Sequence, residues 1–191
     1  MRWIAAALLL LCTARLGGQA QSCPELGATA SGVRLRLPTA MKAALHDFDP
    51  LFEPFTEDAY LKYLPRWSPA TPKQALFAVI GDFNGDGICD VVVDGHGADT
   101  TRRIALLSSE GGVQVIPLNA EAYIPPEAVR YDNDRGYWVY LRVVAPSHFV
   151  SHYEEAPLHL LTDAFEIEYF EKASVLLYWQ DGAFREYTTG D

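Results

Sequence analysis

The chain has 191 residues, 49% of them hydrophobic, and a formal charge of −10. That is enough length and apolar content for one cored domain, and it excludes a disordered chain. So acidic a surface repels phosphate backbones, which argues against nucleic acid as a partner, and attracts divalent cations.

Residues 1–20 read as a signal peptide. Arg2 supplies a positive start, Ile4 to Cys12 is an unbroken apolar run, and Gly18-Gln19-Ala20 offers small residues before a cut near Ala20. The run is shorter than the roughly 20 apolar residues a bilayer span needs. No later stretch is apolar enough for one, so the mature form is expected to be secreted or periplasmic with no stable membrane span. The first 20 residues hold Arg2 and Arg15 and no acid, leaving 13 basic and 25 acidic residues and a formal charge of −12. Cys23 and Cys89 are the cysteines that remain. An oxidising compartment invites a disulfide between them; the alternative is one buried thiol and one in the N-terminal segment.

Residues 21–32 are polar and small, a flexible lead segment ahead of a single domain over 33–191. Val33, Leu35 and Leu37 alternate with Arg34 and Arg36, a short strand. Met41, Ala44, Leu45 and Phe48 fall on one helical face that Pro50 ends. Thr56, Glu57 and Asp58 open a second short helix ending near Leu64-Pro65. From there the pattern is β. Ala75–Ile80, Asp90–Asp94, Arg103–Ser108 and Val113–Leu118 suit one antiparallel meander, the last two joined through Glu110-Gly111-Gly112. Tyr137–Val144 is another strand. Leu158–Leu161 and Ala164–Phe170 follow, with Glu166 and Glu168 on a wet face. Val175–Gln180 and Phe184–Thr188 flank a two-residue turn at Asp181-Gly182. The fold class is α+β: mainly antiparallel sheet with a short helical N-terminal part. The chain has no internal repeat.

The most specific stretch is Asp82-Phe83-Asn84-Gly85-Asp86-Gly87-Ile88-Cys89-Asp90. Calcium takes about six to eight oxygen ligands. Asp82, Asn84 and Asp86 offer side-chain oxygens at alternate positions, Gly87 permits the sharp turn, Ile88 offers a backbone carbonyl, and Asp90 closes the shell directly or through water. An EF-hand needs a Glu at the twelfth position and flanking helices. Here that position is Val93 and the flanks are β-branched.

With apolar runs on both sides, residues 75–95 resemble the calcium-loop segment of FG-GAP (integrin α-like, or VCBS) repeats. The resemblance implies a strand–loop–strand hairpin with calcium at Asp82, Asn84, Asp86, Ile88 and Asp90. That family stacks several such blades into a propeller, whereas this chain carries one copy, so a full β-propeller is not expected. The closing stretch, Ser174–Asp191, resembles small exported bacterial proteins of unassigned activity.

Other candidates weigh less. His148 and His152 stand at a zinc-sharing helical spacing, with Glu154 and Glu155 close behind. The segment lacks the intervening Glu of the zinc-protease helix, and Pro146 and Pro157 bracket it. His96 lies in a Gly-rich stretch after the metal loop and suits acid–base work beside an ion or, more plainly, a polar loop tip. Aromatics crowd the C-terminal half and suit either core packing or stacking on sugars. The leading reading is a calcium-binding structural or binding module without catalysis. The alternatives are a calcium-assisted hydrolase of sugars or phosphoesters using His96, and a surface module that binds carbohydrate or protein.

Overall fold

A computed structural model describes residues 22–190 except 31, 152 and 155. The expected signal peptide and the cut near Ala20 lie outside the described residues, as do His152 and Glu155.

The first hairpin is β1 (Glu25–Thr29) with β2 (Gly32–Arg36). Part of the expected flexible lead segment is therefore ordered strand. Its partner strand is the alternating run after it, and the Glu57 carboxylate accepts the Val33 N–H at 3.2 Å, tying the hairpin to the body. Helix α1 (Thr39–Phe48) buries Met41 and Leu45 and ends before Pro50. Strand β3 (Glu53–Pro54) follows. The second expected helix is instead a 3-10 turn (Glu57–Ala59) and a single helical turn, α2 (Leu64–Trp67). The residues between, Tyr60 to Tyr63, are diverted: Leu61 N–H bonds to the Tyr137 carbonyl and Tyr137 N–H to the Ala59 carbonyl.

The main sheet is an antiparallel meander of β4 (Gln74–Ala75), β5 (Ala78–Gly81), β6 (Asp90–His96), β7 (Thr100–Ser109) and β8 (Gly112–Ala122), with β3 also pairing β6. Two ribbons follow the meander: β9 (Arg130–Tyr131) with β10 (Asp134–Arg135), and, after β11 (Val139–Val144), β12 (His148–Phe149) with β13 (Leu158–His159). The second sheet joins β11 to β14 (Ala164–Tyr169), β15 (Ala173–Gln180) and β16 (Ala183–Gly190). Asp181 and Gly182 both have positive φ, 52° and 80°, as a tight hairpin turn requires.

The main sheet is covered on both faces, which is why its strands read as unbroken apolar runs. Met41, Leu45 and Leu61 pack with Val91, Val93, Ile104 and Leu106 on one face. On the other, Val92, Ala105 and Leu107 meet Leu141, Phe165, Ile167 and Leu177 of the second sheet. Glu166 is not on a wet face: it is 2% exposed, paired with Arg142, and accepts a hydrogen bond from Thr189 at 2.9 Å. Period-2 alternation does not reveal whether the charged side of a strand is covered by its own neighbours' polar groups, as happens here.

Candidate metal centre

The loop from Asp82 to Asp90 joins β5 to β6 and is built around side-chain oxygens that accept its own backbone N–H groups. Asp82 Oδ1 accepts from Gly85 at 2.8 Å, and Oδ2 from Gly87 at 2.9 Å. The Asp86 N–H is shared between Asp82 Oδ1 and Asn84 Oδ1, each at 3.1 Å, so two of the expected ligand oxygens meet at one point. Asp86 Oδ1 in turn accepts the Ile88 N–H at 2.9 Å, and Asn84 Nδ2 donates to Asp86 Oδ2 at 3.2 Å. Gly85 and Gly87 sit at φ 78° and 81°, the left-handed region that lets so short a loop curl.

Asp90 stands apart from these. It is fully buried, and its carboxylate accepts three backbone N–H groups: Phe83 at 2.9 Å, Asn84 at 3.4 Å and Ser108 at 2.8 Å. It clasps the start of the loop to β7. Burial pushes its carboxyl up to about 7, against the pull of those N–H donors. Among the described residues no three His, Cys, Asp or Glu side chains form a metal-holding group. The oxygens of Asp82, Asn84 and Asp86 nonetheless make a hard-donor set on one curl, which fits a hard cation rather than a soft one.

The surroundings add residues that sequence patterning did not single out. Thr162 Oγ1 donates to the Phe83 carbonyl at 3.1 Å, and Asp163 Oδ2 accepts from the Asp82 N–H at 3.2 Å and from Lys73 Nζ at 3.3 Å. These come from 79 and 81 residues downstream of their loop partners, and the only hint was a Thr-Asp pair just before a strand. Phe83 is fully buried and meets the Phe165 ring edge-on at 5.6 Å, so the loop is anchored in the core between the sheets. Cys23 and Cys89 are joined by a disulfide, their Cα atoms 5.3 Å apart, which fastens the N-terminal segment beside Asp90.

The other candidates are not at this site. Asp90 and His96 are the two ends of β6, which puts them about 20 Å apart at ~3.3 Å per extended residue. His96 stacks on Tyr123 at 4.3 Å and its Nδ1 lies 2.9 Å from the Gly97 carbonyl. A role for His96 beside an ion in the loop is thus corrected by the strand between them. His148 is in β12 rather than a helix, opposite His159. The aromatics do not form one exposed row. Phe165, Trp179 and Phe184 pack between the sheets, and Tyr131, Trp138 and Phe170 pack together elsewhere.

No family model, curated protein or solved structure matches this chain. No helix among the described residues is long and apolar enough to cross a membrane. The chain is a mainly antiparallel β protein whose most distinctive local feature is an oxygen-lined strand–loop–strand turn.

Proposed function

We propose that the protein is an exported, non-enzymatic module whose Asp82–Asp90 loop binds calcium and staples β5 to β6. Its fold is best classed as α+β, with α1 and its neighbours forming a helical layer over the main sheet. Asp82, Asn84, Asp86 and the Ile88 carbonyl would face the ion, and Asp90 would hold the loop in shape and complete the shell directly or through water. The loop is then a single blade segment of the FG-GAP kind set in another architecture. The observation that carries this reading is the convergence of Asp82 and Asn84 oxygens on the Asp86 N–H. Three carboxylates in nine residues repel one another when empty, so an ion that binds only the folded state adds stability by mass action.

The test is thermal melting of the mature, oxidised protein in calcium and in chelator. At free calcium 100 times Kd the gain is about 2.7 kcal/mol, a shift of about 5–11 °C for a chain of this size. Asp86→Ala should melt alike in both buffers. A parent protein with the same melting temperature in both would overturn the staple.

A further inference from the structure

The far end of β6 holds a second set of polar groups, unrelated to the loop. Asp94 and Arg103 face each other across β6 and β7, on the same side as Val92 and Ala105. They close the end of the core between the two sheets. Arg103 is 7% exposed and Asp94 6%. The pair is bidentate, Nε to Oδ1 at 2.7 Å and Nη2 to Oδ2 at 2.8 Å. Above it opens a cleft of about 310 Å³, at the small-molecule end of the range for ligand pockets.

Two donors lining this cleft have no hydrogen-bond partner among the described residues. Tyr60 is 2% exposed and lines the cleft, yet its hydroxyl has no hydrogen-bond partner among the described residues. Arg103 spends Nε and Nη2 on Asp94, and its Nη1 has no partner among the described residues either. Neither group is sealed in the core, since among the described residues Arg102 Nε is the buried side-chain atom left without a partner; both are open to the cleft and free to meet a ligand. The position of Tyr60 is fixed by a close backbone approach: Tyr60 bridges to Tyr137, and Gly136, at φ 132°, leaves no room for a side chain against the Tyr60 carbonyl carbon.

The chemistry of the cleft selects its occupant. The lining carries two cations, Arg102 and Arg103, and two carboxylates, Asp94 and the exposed Glu121, so it is neutral overall. An anion would meet Asp94 and Glu121, and a cation would meet the Arg102 and Arg103 guanidinium groups. A neutral ligand with many hydroxyls avoids both. It accepts from Arg103 Nη1, exchanges a hydrogen bond with Tyr60 and donates to the free lone pairs of Asp94. Tyr137, Trp138 and Tyr169 line the walls and can pack on the apolar face of a ring. We propose that this cleft binds a neutral, polyhydroxylated ring the size of a monosaccharide, with Tyr60 and Arg103 as its hydrogen-bonding base. The site is a cleft at the end of the sandwich, not an aromatic sheet face, and it does not depend on the calcium reading.

The experiment titrates glucose, galactose, mannose and xylose, each to about 10 mM, into the mature oxidised protein. Intrinsic tryptophan fluorescence, to which Trp138 in the cleft wall contributes beside Trp67 and Trp179, and saturation-transfer NMR report binding, with glucuronate and glucosamine as charged controls. At least one neutral sugar should bind, and more tightly than either charged control. Tyr60→Phe removes only the unpartnered hydroxyl; it should weaken that sugar about tenfold and leave the melting temperature unchanged. Several results overturn the proposal: no neutral sugar binding, a charged control binding more tightly, or Tyr60→Phe leaving affinity intact. A Tyr60→Phe protein that melts well below the parent would also overturn it, because the hydroxyl would then be held by the protein. A failure of the calcium reading shows in the melting curve and a failure of this one in the titration.

Discussion

The two ends of β6 carry buried aspartates that solve the same problem differently. Asp90 has three backbone N–H donors and no cation. Asp94 has one guanidinium and no backbone donor. The first arrangement is local, because the donors belong to the loop it closes and to the adjoining strand. It fixes a backbone shape. The second is a side-chain pair at an opening, and a pair leaves donors to spare where three converging amides do not. One end is therefore suited to rigidity and the other to recognition. Structure alone makes that division; both residues read identically in sequence, as an Asp beside a run of valines.

The largest effect should come from the covalent tie at the loop end. Cys23 and Cys89 are 66 residues apart in sequence, and a closed loop of that length stabilises by about 4 kcal/mol on the chain-entropy account. Replacing both with Ser should lower the denaturation midpoint accordingly and leave the calcium response in place, since the disulfide ties the N-terminal segment to the loop end while β5 and β6 keep their own ladder. A thiol count of two on the untreated mature protein, or an unchanged midpoint, would remove this tie from the comparison.

The cleft end should break in a way that depends on which partner is lost. Arg103→Met strands Asp94 in a buried position and should destabilise by about 3 kcal/mol. The double variant Asp94→Leu, Arg103→Met removes both charges and should recover most of that loss, because a buried pair is worth little beyond its own desolvation. If the single and double variants melt together, Asp94 is solvated in the cleft and the two ends are less different than their geometry indicates. Urea denaturation of all three proteins separates these outcomes.

Much of this was legible before the fold. The meander β5 to β8 announces itself through apolar runs and the Gly-containing turn at 110–112, and the loop through its alternating oxygens. Those signals are local, set by residues within about ten positions of one another. What stayed hidden is non-local. Asp163 and Thr162 brace the loop from another sheet. Tyr60 faces Arg103 because its two neighbours bond the Tyr137 backbone across the chain, Leu61 N–H to the Tyr137 carbonyl and Tyr137 N–H to the Ala59 carbonyl. The segment 25–29 looked too small and polar for a strand, yet pairing with β2 and the anchor at Cys23 supply what its side chains do not. His96 looked close to the loop only because sequence distance was short; an extended strand turns short separation into long distance.

The finest test asks whether Asp90 behaves as a clasp or as a ligand. Burial raises its carboxyl to about 7 in the folded, metal-free protein, whereas in the unfolded chain it titrates near 3.9. The folded state then holds its proton more tightly than the unfolded one. In chelator this group's contribution is therefore most favourable at the acid end, and stability declines as pH rises from about 4 through about 7. A calcium ion held as proposed would bind the ionised form, so its benefit should grow across the same interval and oppose the decline. Melting curves in chelator and in calcium at a series of pH values measure both slopes. Asp90→Asn should abolish the pH-dependent part. Its cost relative to the parent should therefore be largest at the acid end, where the protonated Asp90 contributes most, and shrink as pH rises through about 7. A parent protein in chelator with no slope through neutrality would mean that its three amide donors outweigh burial and keep Asp90 ionised throughout. The loop would then be preorganised for the cation rather than proton-bound without it.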